Sequence, residues 1–316
     1  MQLCLMIEGQ EGVSWSNWLA LAQACEQHGV PALFRSDHYL NLDGRHPEQG
    51  SLDAWGTLCA LAAATSTLRL GTMVSPATFR HPSELAKLVV TADHVSGGRI
   101  ELGLGAGWHE REHEAYGFPF PRPRVRMDTL EEQLQVVLGN WTSSSEQPFS
   151  FDGEHYKLRD LDAQPKPVQR PHPHLIIGGR AGARSVALAA RYAGEYNTPF
   201  PTTDDVRERR ARINQACERA GRDPLPFSIM TSVLVGSDES DLRERAGRLA
   251  ARIGAEPEAL LNEPPTGWIV GTIDRAVPQL AELADAGVSR VMCQQLLHED
   301  LDAVALLGGK LAPAVA

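Results

Sequence analysis

Two motifs at residues 103–113 are typical of two different chemistries. His109 and His113 frame the pattern H-E-R-E-H, which matches the H-E-x-x-H helix of zinc hydrolases, where two histidines one turn apart bind the metal. Directly before it, Gly103, Gly105 and Gly107 give the run G-L-G-A-G, which lets a ligand approach the backbone closely. The segment therefore raises two alternatives, a zinc site and a ligand-binding turn.

Neither motif is complete. Gly117 and the prolines at 119, 121 and 123 end the zinc helix after about two turns. The charged run from His109 to His113 has no apolar spacing, which predicts a solvated face. We therefore predict that no metal binds here and that alanine at both histidines leaves folding nearly intact; a zinc hydrolase is kept as an alternative of another class. The dinucleotide fingerprint G-x-G-x-x-G also fails, because Trp108 occupies its last position.

A second glycine-rich turn predicts an anion site. In I-I-G-G-R-A-G, residues 176–182, a strand ends in Gly178 and Gly179, and a helix follows within a few residues. The first N–H groups of a helix and its dipole attract phosphate, and Arg180 and Arg184 add positive charge. The alternative is an ordinary connection between a strand and a helix.

A polar pair ends another strand. Asp37 and His38 lie in S-D-H-Y-L, directly after the apolar run that begins at residue 31. A buried Asp–His pair at such a position could bind the polar edge of a ring or move a proton. A histidine that only caps the strand end fits the spacing equally well.

The elements that must position these residues alternate along the chain. Eight short apolar runs are each followed by a stretch with helical spacing, over 316 residues. This alternation predicts an α/β fold, a (β/α)8 TIM barrel forming one domain over residues 1–316, rather than an open doubly wound sheet. Residues 142–173 interrupt the rhythm, with a hairpin pattern around Asp152 and Gly153, and predict an insertion. In a barrel, the chemistry lies in the loops after the strands.

Composition narrows the class of protein. The net charge of −10 disfavours a nucleic-acid partner. Five scattered cysteines without a C-x-x-C pattern predict reduced thiols and a cytoplasmic enzyme. No apolar run reaches the roughly 18 residues that a membrane span needs. We therefore expect a cytoplasmic protein with a small-molecule substrate and no membrane partner.

Several stretches together resemble the luciferase-like monooxygenase family, most closely the branch that uses the deazaflavin coenzyme F420. They are R-S-D-H-Y-L, the segment from L-R-L-G-T-M-V-S-P to G-L-G-A-G-W-H-E-R-E-H, the hairpin F-S-F-D-G-E-H-Y-K-L, and L-I-I-G-G-R-A-G-A-R-S. The resemblance covers residues 1–236 and the last strand. It implies a (β/α)8 barrel with an insertion after the fourth helix, which agrees with the interruption at 142–173.

The resemblance also implies roles for individual residues. Asp37 and His38 would touch the edge of the tricyclic ring, and Glu112 falls where members often carry an acid; these three are the candidate catalytic residues. Thr72 and Met73 match a strand bulge behind the ring, so we predict a cis peptide between them. The remaining implied contacts with ring, ribityl chain and phosphate are Gly105, Ala106, Gly107, Trp108, Gly178, Gly179 and Arg180.

The function implied by the resemblance is hydride transfer between F420 and an unidentified small organic substrate. The alternative within the family is an FMN-dependent monooxygenase, which would need oxygen and a flavin reductase partner. A homodimer is a further expectation, since members of the family often dimerise. Trp108 stands where the sugar-phosphate dehydrogenases of the family carry a glutamate, so the resemblance does not extend to that substrate.

Overall fold

The structure is a computed structural model that describes residues 1–42, 44, 46 and 48–315. Eight of its strands are parallel and close into a barrel, in the ring order β1–β2–β3–β5–β8–β9–β10–β12. The strands in chain order are β1 Gln2–Ile7, β2 Ala32–Arg35, β3 Arg69–Thr72, β4 Ser75–Pro76, β5 Ile100–Gly105, β6 Phe149–Asp152, β7 Lys157–Leu161, β8 His174–Gly178, β9 Glu195–Pro199, β10 Phe227–Gly236, β11 Ile269–Thr272 and β12 Arg290–Gln294. The prediction of a (β/α)8 barrel is confirmed.

Helices surround the barrel and begin and end at residues that favour helix ends. Ser14 caps α1 through the backbone N–H of Asn17, and Gly29 ends the helix in the left-handed conformation. The helices are α1 Trp15–His28, α2 Ala54–Ala64, α3 Pro82–Ser96, α4 Glu110–Tyr116, α5 Pro123–Thr142, α6 Ala183–Tyr192, α7 Thr203–Arg219, α8 Glu239–Ile253, α9 Pro257–Asn262, α10 Ile273–Asp285, α11 Leu301–Leu306 and α12 Ala312–Ala314, with a π-helical turn at Leu307–Leu311.

The predicted insertion is also present. Between α5 and β8 the chain forms an antiparallel hairpin, β6 with β7, outside the barrel. The carboxylate of Glu132 on α5 holds the hairpin turn, because it accepts hydrogen bonds from the backbone N–H groups of Glu154, His155 and Tyr156 at 2.7–3.0 Å. The insertion therefore packs on the fifth helix and leaves the order of the barrel strands unchanged.

The alternation along β1 shows how the core is divided. Leu3, Leu5 and Ile7 belong to the large apolar cluster between the strands and the helices. Cys4 and Met6 point the other way and join the smaller cluster inside the barrel. Because the barrel strands are buried on both faces, they need apolar residues at odd and at even positions. Their sequences are therefore continuous apolar runs instead of alternating ones.

The strand β11 and the helices α9, α11 and α12 were not predicted. Strand β10 is ten residues long, and β11 pairs only with its last four residues, Val233–Gly236. A four-residue run, I-V-G-T, carries too little pattern to be distinguished from a loop. In the described part of the chain no helix is long and apolar enough to cross a bilayer.

Candidate functional site

A cavity of about 670 Å³ opens at the carboxyl ends of the barrel strands. Nine of the twelve candidate site residues line it, and they come from four different segments that follow β2, β3, β5 and β8. These nine residues are His38, Met73, Gly105, Ala106, Gly107, Trp108, Gly178, Gly179 and Arg180. The segments are far apart in sequence, so the closed barrel is what brings them together.

Glycines at the ends of β5 and β8 make room for the segment after β3. A Cβ on Gly105 would lie 2.8 Å from Val74 Cγ2, and a Cβ on Gly178 would lie 3.0 Å from Val74 Cγ1. Gly107 has φ +80°, which only glycine adopts readily. The two glycine turns therefore leave room for the Val74 side chain at the cavity wall. No side chain protrudes from these glycines beside it.

The predicted position of the cis peptide was wrong by one residue. The non-prolyl cis bond joins Met73 to Val74 rather than Thr72 to Met73. The physical reason is that the hydrogen bonding between β2 and β3 extends one residue beyond Thr72. The N–H of Met73 still donates to the carbonyl of Arg35 at 2.8 Å. The hydroxyl of Thr72 is buried and donates to the carbonyl of Gly103 at 3.0 Å. Thr72 therefore lies behind the cavity wall and does not line the cavity.

His38 and Glu112 form a pair at the cavity wall. His38 Nδ1 lies 2.8 Å from Glu112 Oε2, and Glu112 is fully buried. The other carboxylate oxygen accepts hydrogen bonds from the backbone N–H groups of Tyr39 and Leu40. Among the described residues, this is the only hydrogen bond of the His38 ring, so Nε2 is the nitrogen left for a ligand.

Within this pair, each residue shifts the pKa of the other so that its charged form is favoured. Burial disfavours the charged form of His38, but the hydrogen bond and negative charge of Glu112 outweigh it, so the pKa of His38 is raised. Burial also disfavours the Glu112 carboxylate, but hydrogen bonds from His38, Leu40 and Tyr39 lower its pKa. The pair therefore favours the protonated form of His38 beside the cavity. Glu112 itself does not line the cavity, so it positions His38 instead of contacting a ligand.

Asp37 lies behind the cavity wall, which corrects its predicted ring contact. Its two carboxylate oxygens accept hydrogen bonds from Arg80 at 2.6 and 3.1 Å, and Ser75 Oγ donates to it at 2.6 Å. Arg80 also reaches Asp53, the N-cap residue of α2. Asp37 therefore fixes the loops after β2 and β3 to each other, and its charge is already neutralised by a bidentate arginine.

The segment after β8 partly matches the predicted anion site. No side chain caps the N-terminus of α6, so the first N–H groups of that helix have no side-chain acceptor. Arg180 lines the cavity and has no partner among the described residues. The N–H of Gly179, however, donates to the Asn197 carbonyl at 3.0 Å. Arg184 is paired with Asp128 at 2.7 Å, so it does not add free charge as predicted.

The helix α4 corrects the prediction of a solvated H-E-R-E-H segment. His109, Glu112 and His113 are buried, because the short helix turns this face inward. His113 Nδ1 lies 2.7 Å from the His109 carbonyl, to which it donates, and Nε2 then accepts from Thr78 Oγ1 at 2.6 Å. Both nitrogens of His113 are thus occupied. The absence of zinc stays a prediction, and this geometry supports it.

Trp108 is an exposed residue of the cavity wall. It is 61% exposed, and its ring centroid lies 5.5 Å from that of His38 in an edge-on arrangement. An exposed aromatic ring next to the candidate proton donor gives the cavity mouth an apolar side.

The sequence analysis missed several cavity residues. Glu8 follows β1, Gln294 ends β12, and Asn197, Phe200 and Met230 come from β9, its following turn and β10. All except Met230, which is the fourth residue of the ten-residue strand β10, lie at or near strand ends, where a barrel places its chemistry. The strand-end rule could have found these four residues, but no motif draws attention to single residues such as Glu8.

Comparisons with known proteins agree with this architecture. A family model described as luciferase-like monooxygenase matches residues 4–268. The uncharacterized protein Rv0953c of Mycobacterium tuberculosis is 32% identical over 228 residues, which cover 68% of this chain and 78% of that protein. The FMNH(2)-dependent dimethylsulfone monooxygenase of Pseudomonas putida is 30% identical over 201 residues, covering 64% of this chain and 53% of the relative.

Solved structures share the fold at low sequence identity. An F420-dependent secondary alcohol dehydrogenase in complex with an F420-acetone adduct superposes with a TM-score of 0.82 at 20% identity, covering 100% of this chain and 99% of that one. The oxygenating constituent of 3,6-diketocamphane monooxygenase from Pseudomonas putida, in complex with FMN, gives a TM-score of 0.78 at 16% identity over 100% and 99% of the two chains.

Proposed function

The chain belongs to the luciferase-like monooxygenase family, and from this premise we propose that it is an F420-dependent oxidoreductase that transfers a hydride to or from a small organic substrate. The observation that carries the proposal is the His38–Glu112 pair, in which Glu112 favours the protonated form of a histidine that lines the cavity. Hydride transfer to a polar double bond needs a proton for the other atom, and the reverse reaction needs a base to remove one.

Two features of the cavity support a tricyclic cofactor with a phosphate. The uncapped N-terminus of α6 and the unpartnered guanidinium of Arg180 provide donors for an anion at the rim. Gly105, Gly107 and Gly178 would let a flat ring approach the wall at Val74. When bound, the deazaflavin would supply the hydride chemistry at ring carbon 5.

The residues of the chain would then divide the remaining work. His38 Nε2 would donate a proton to the substrate or accept one from it, and Glu112 would hold the ring of His38 in the orientation that exposes Nε2. Trp108 would cover the mouth of the cavity and limit the access of water to the reacting atoms. Asp37 and Arg80 would keep the loops that carry these residues in place.

An FMN-dependent monooxygenase is the second candidate. The 30% identity to an enzyme whose name specifies FMNH(2) favours it. In that case the chain would need a partner reductase to deliver reduced flavin, and His38 would serve the same proton-transfer role.

Cofactor titration separates the two candidates. Purified protein is titrated with F420 and with FMN, each followed by its fluorescence, and binding of F420 at least tenfold tighter than FMN is expected. Tighter binding of FMN would favour the monooxygenase. If neither cofactor binds up to 1 mM, about −4 kcal/mol of binding free energy, the proposed function is wrong.

A further inference from the structure

A buried carboxylate, Glu8, lies in the cavity wall. Glu8 is 7% exposed and lines the cavity. Among the described residues, no Lys, Arg or His nitrogen forms an ion pair with it. A buried charge of this kind is costly unless something compensates it, and the other residues that line the cavity contribute no second carboxylate.

Two glutamine amides donate hydrogen bonds to this side chain. Gln294 Nε2 donates to Glu8 Oε1 at 2.6 Å, and Gln10 Nε2 donates to Glu8 Oε2 at 2.8 Å. Each oxygen of Glu8 therefore accepts one amide N–H from the protein.

The orientation of both amides is fixed from behind. The N–H of Gly9 donates to Ser36 Oγ at 3.0 Å, so the Ser36 hydroxyl is oriented to donate to Gln10 Oε1 at 2.6 Å. On the other side, Ser232 Oγ donates to Gln294 Oε1 at 2.5 Å. Each glutamine thus turns its NH₂ group toward Glu8. Two of the roughly four lone-pair positions of the carboxylate remain for a ligand.

The position of Glu8 in the barrel assigns it to the substrate side. Glu8, Gln294 and His38 come from β1, β12 and β2, which are neighbours in the ring. The candidate phosphate site follows β8, which is four strands from β1 in either direction around the ring. The wall that carries Glu8 is therefore the part of the cavity farthest from a cofactor phosphate bound after β8. His38 lies on the same wall, and the negative charge of Glu8 contributes to its raised pKa, but the Nδ1 atom of His38 is bonded to Glu112 and not to Glu8.

From these contacts we infer that Glu8 is a specificity-determining residue that binds a protonated nitrogen of the substrate, such as a primary amine. An ammonium group would occupy the unused lone pairs and neutralise the buried charge. The apolar side of the cavity, including Trp108 and Met230, would take the hydrocarbon part. The inference rests on the proposed function only in treating the amine as the substrate of hydride transfer.

A matched pair of ligands tests the inference. Benzylamine and benzyl alcohol have the same carbon skeleton, and at pH 7 only the first is charged. Their affinities are measured by calorimetry on wild type, Glu8→Gln and the control Glu110→Gln, each with and without F420. Glu110 is exposed at the start of α4, so its variant makes the same change of net charge outside the cavity.

Wild type and Glu110→Gln should bind benzylamine at least tenfold more tightly than benzyl alcohol, and Glu8→Gln should lose this preference while keeping its affinity for F420. If Glu8→Gln does not fold, Glu8→Asp is used instead. It retains the charge on a side chain that is shorter by one methylene group, so the preference for benzylamine should be reduced. Equal affinities in wild type, or an unchanged preference in the Glu8 variants, would overturn the inference. The inference would also be overturned if Glu8→Gln lost as much affinity for F420 as it lost for benzylamine. An amine preference that depends on Glu8 in a protein that binds no cofactor would support the inference and refute only the proposed function.

Discussion

At the scale of the residue, the pair of His38 and Glu112 shows how a buried carboxylate can act without touching a ligand. Glu112 accepts hydrogen bonds from His38 and from two backbone N–H groups of the loop after β2. It therefore fixes the ring of His38 and the loop that carries it at the same time. Its negative charge also outweighs the burial of His38, which alone would lower the pKa of the imidazole.

Replacing Glu112 by glutamine should lower the pKa of His38. The variant keeps the burial that disfavours the imidazolium and removes the negative charge of Glu112 that favours it, so the pKa of His38 falls. The protonated fraction at a given pH then falls, and the pH at which proton donation fails moves down. NMR titration of the His38 ring protons, with the pH profile of kcat, measures both.

The control for this prediction is Glu114→Gln, on the exposed side of the same helix. It makes the same chemical change without the contact to His38, so it should leave the pKa and the pH profile as in wild type. A pKa of His38 that does not move in Glu112→Gln would show that Glu112 does not set the protonation of this ring.

The site residues differ in how far the sequence could predict them. The glycine turns and His38 were predicted because strand-end position and resemblance pointed to the same residues, and all of them line the cavity. Asp37 was assigned to the cavity as well, but the sequence gives no sign of its partner Arg80, which lies more than forty residues away. Side-chain pairing between distant loops depends on the closed barrel and cannot be found from spacing alone.

At the scale of the element, the turn between β8 and α6 is sensitive to added side-chain volume. A Cβ on Gly179 would lie 2.9 Å from the hydroxyl of Tyr196. That hydroxyl accepts a hydrogen bond from the N–H of Ala181 at 2.7 Å. Tyr196 therefore holds the turn that leads into the helix, and any side chain at position 179 would push it away.

We predict that Gly179→Val weakens cofactor binding more than Arg180→Ala does. The valine displaces Tyr196 and with it the N-terminus of α6, whereas the alanine removes one charged contact, about 1.5–3 kcal/mol or roughly 10- to 150-fold in affinity. Gly247→Val is the control, because no atom lies within 4 Å of a Cβ there. Cofactor affinity is measured after thermal unfolding shows that each variant folds. Wild-type affinity in Gly179→Val would contradict the assignment of the phosphate site.

For α4, the structure replaces the prediction from the charge pattern that alanine at its histidine leaves folding nearly intact. His113 is buried, its ring bonds to Thr78 and the His109 carbonyl, and its centroid lies 4.6 Å from that of Phe120. His113→Ala should therefore reduce the free energy of unfolding by about 1–3 kcal/mol, and metal analysis of wild type should find no stoichiometric zinc. Denaturant unfolding checks the first point. Zinc that is present in wild type and lost in the variant would restore the hydrolase alternative.

At the scale of the whole molecule, the alternation of strand and helix was enough to predict the barrel, because each of the eight units repeats the same pattern. The pattern does not show what closes the amino-terminal end of the barrel. There, Arg290 on β12 lies between two buried carboxylates, with its Nη2 2.7 Å from Glu101 on β5 and 2.8 Å from Glu195 on β9. His174 adds a contact to Glu195 at 3.1 Å. These four side chains come from positions 101 to 290, so only the closed barrel brings them together.

This network fixes the barrel and gives it a defined acid sensitivity. Burial would raise the pKa of Glu101, but Arg290 outweighs it and lowers the pKa from an unfolded value of 4.5 to about 2. Because the folded pKa is the lower one, the stabilisation is present above pH 4.5 and is lost as the pH falls toward 2. We expect the free energy of unfolding of wild type to fall steeply in this window.

Replacing Arg290 by methionine tests the network as a unit. The variant removes the shared cation, but Glu101 keeps Arg69 Nε at 2.6 Å and Glu195 keeps His174 as partners. The loss at pH 7 should therefore stay below the roughly 3–5 kcal/mol of a buried charge left without any partner. Part of this loss should disappear at pH 3, where the carboxylates can take up protons. Cofactor affinity of the folded fraction should stay unchanged, since the cavity lies at the opposite end of the barrel. The control is Arg207→Met, at an exposed pair with Asp204, where a change below about 0.5 kcal/mol is expected. Urea unfolding of the three proteins at pH 7 and pH 3 measures these differences, and an equal loss at both pH values would show that the Arg290 side chain stabilises the barrel by packing instead of by charge.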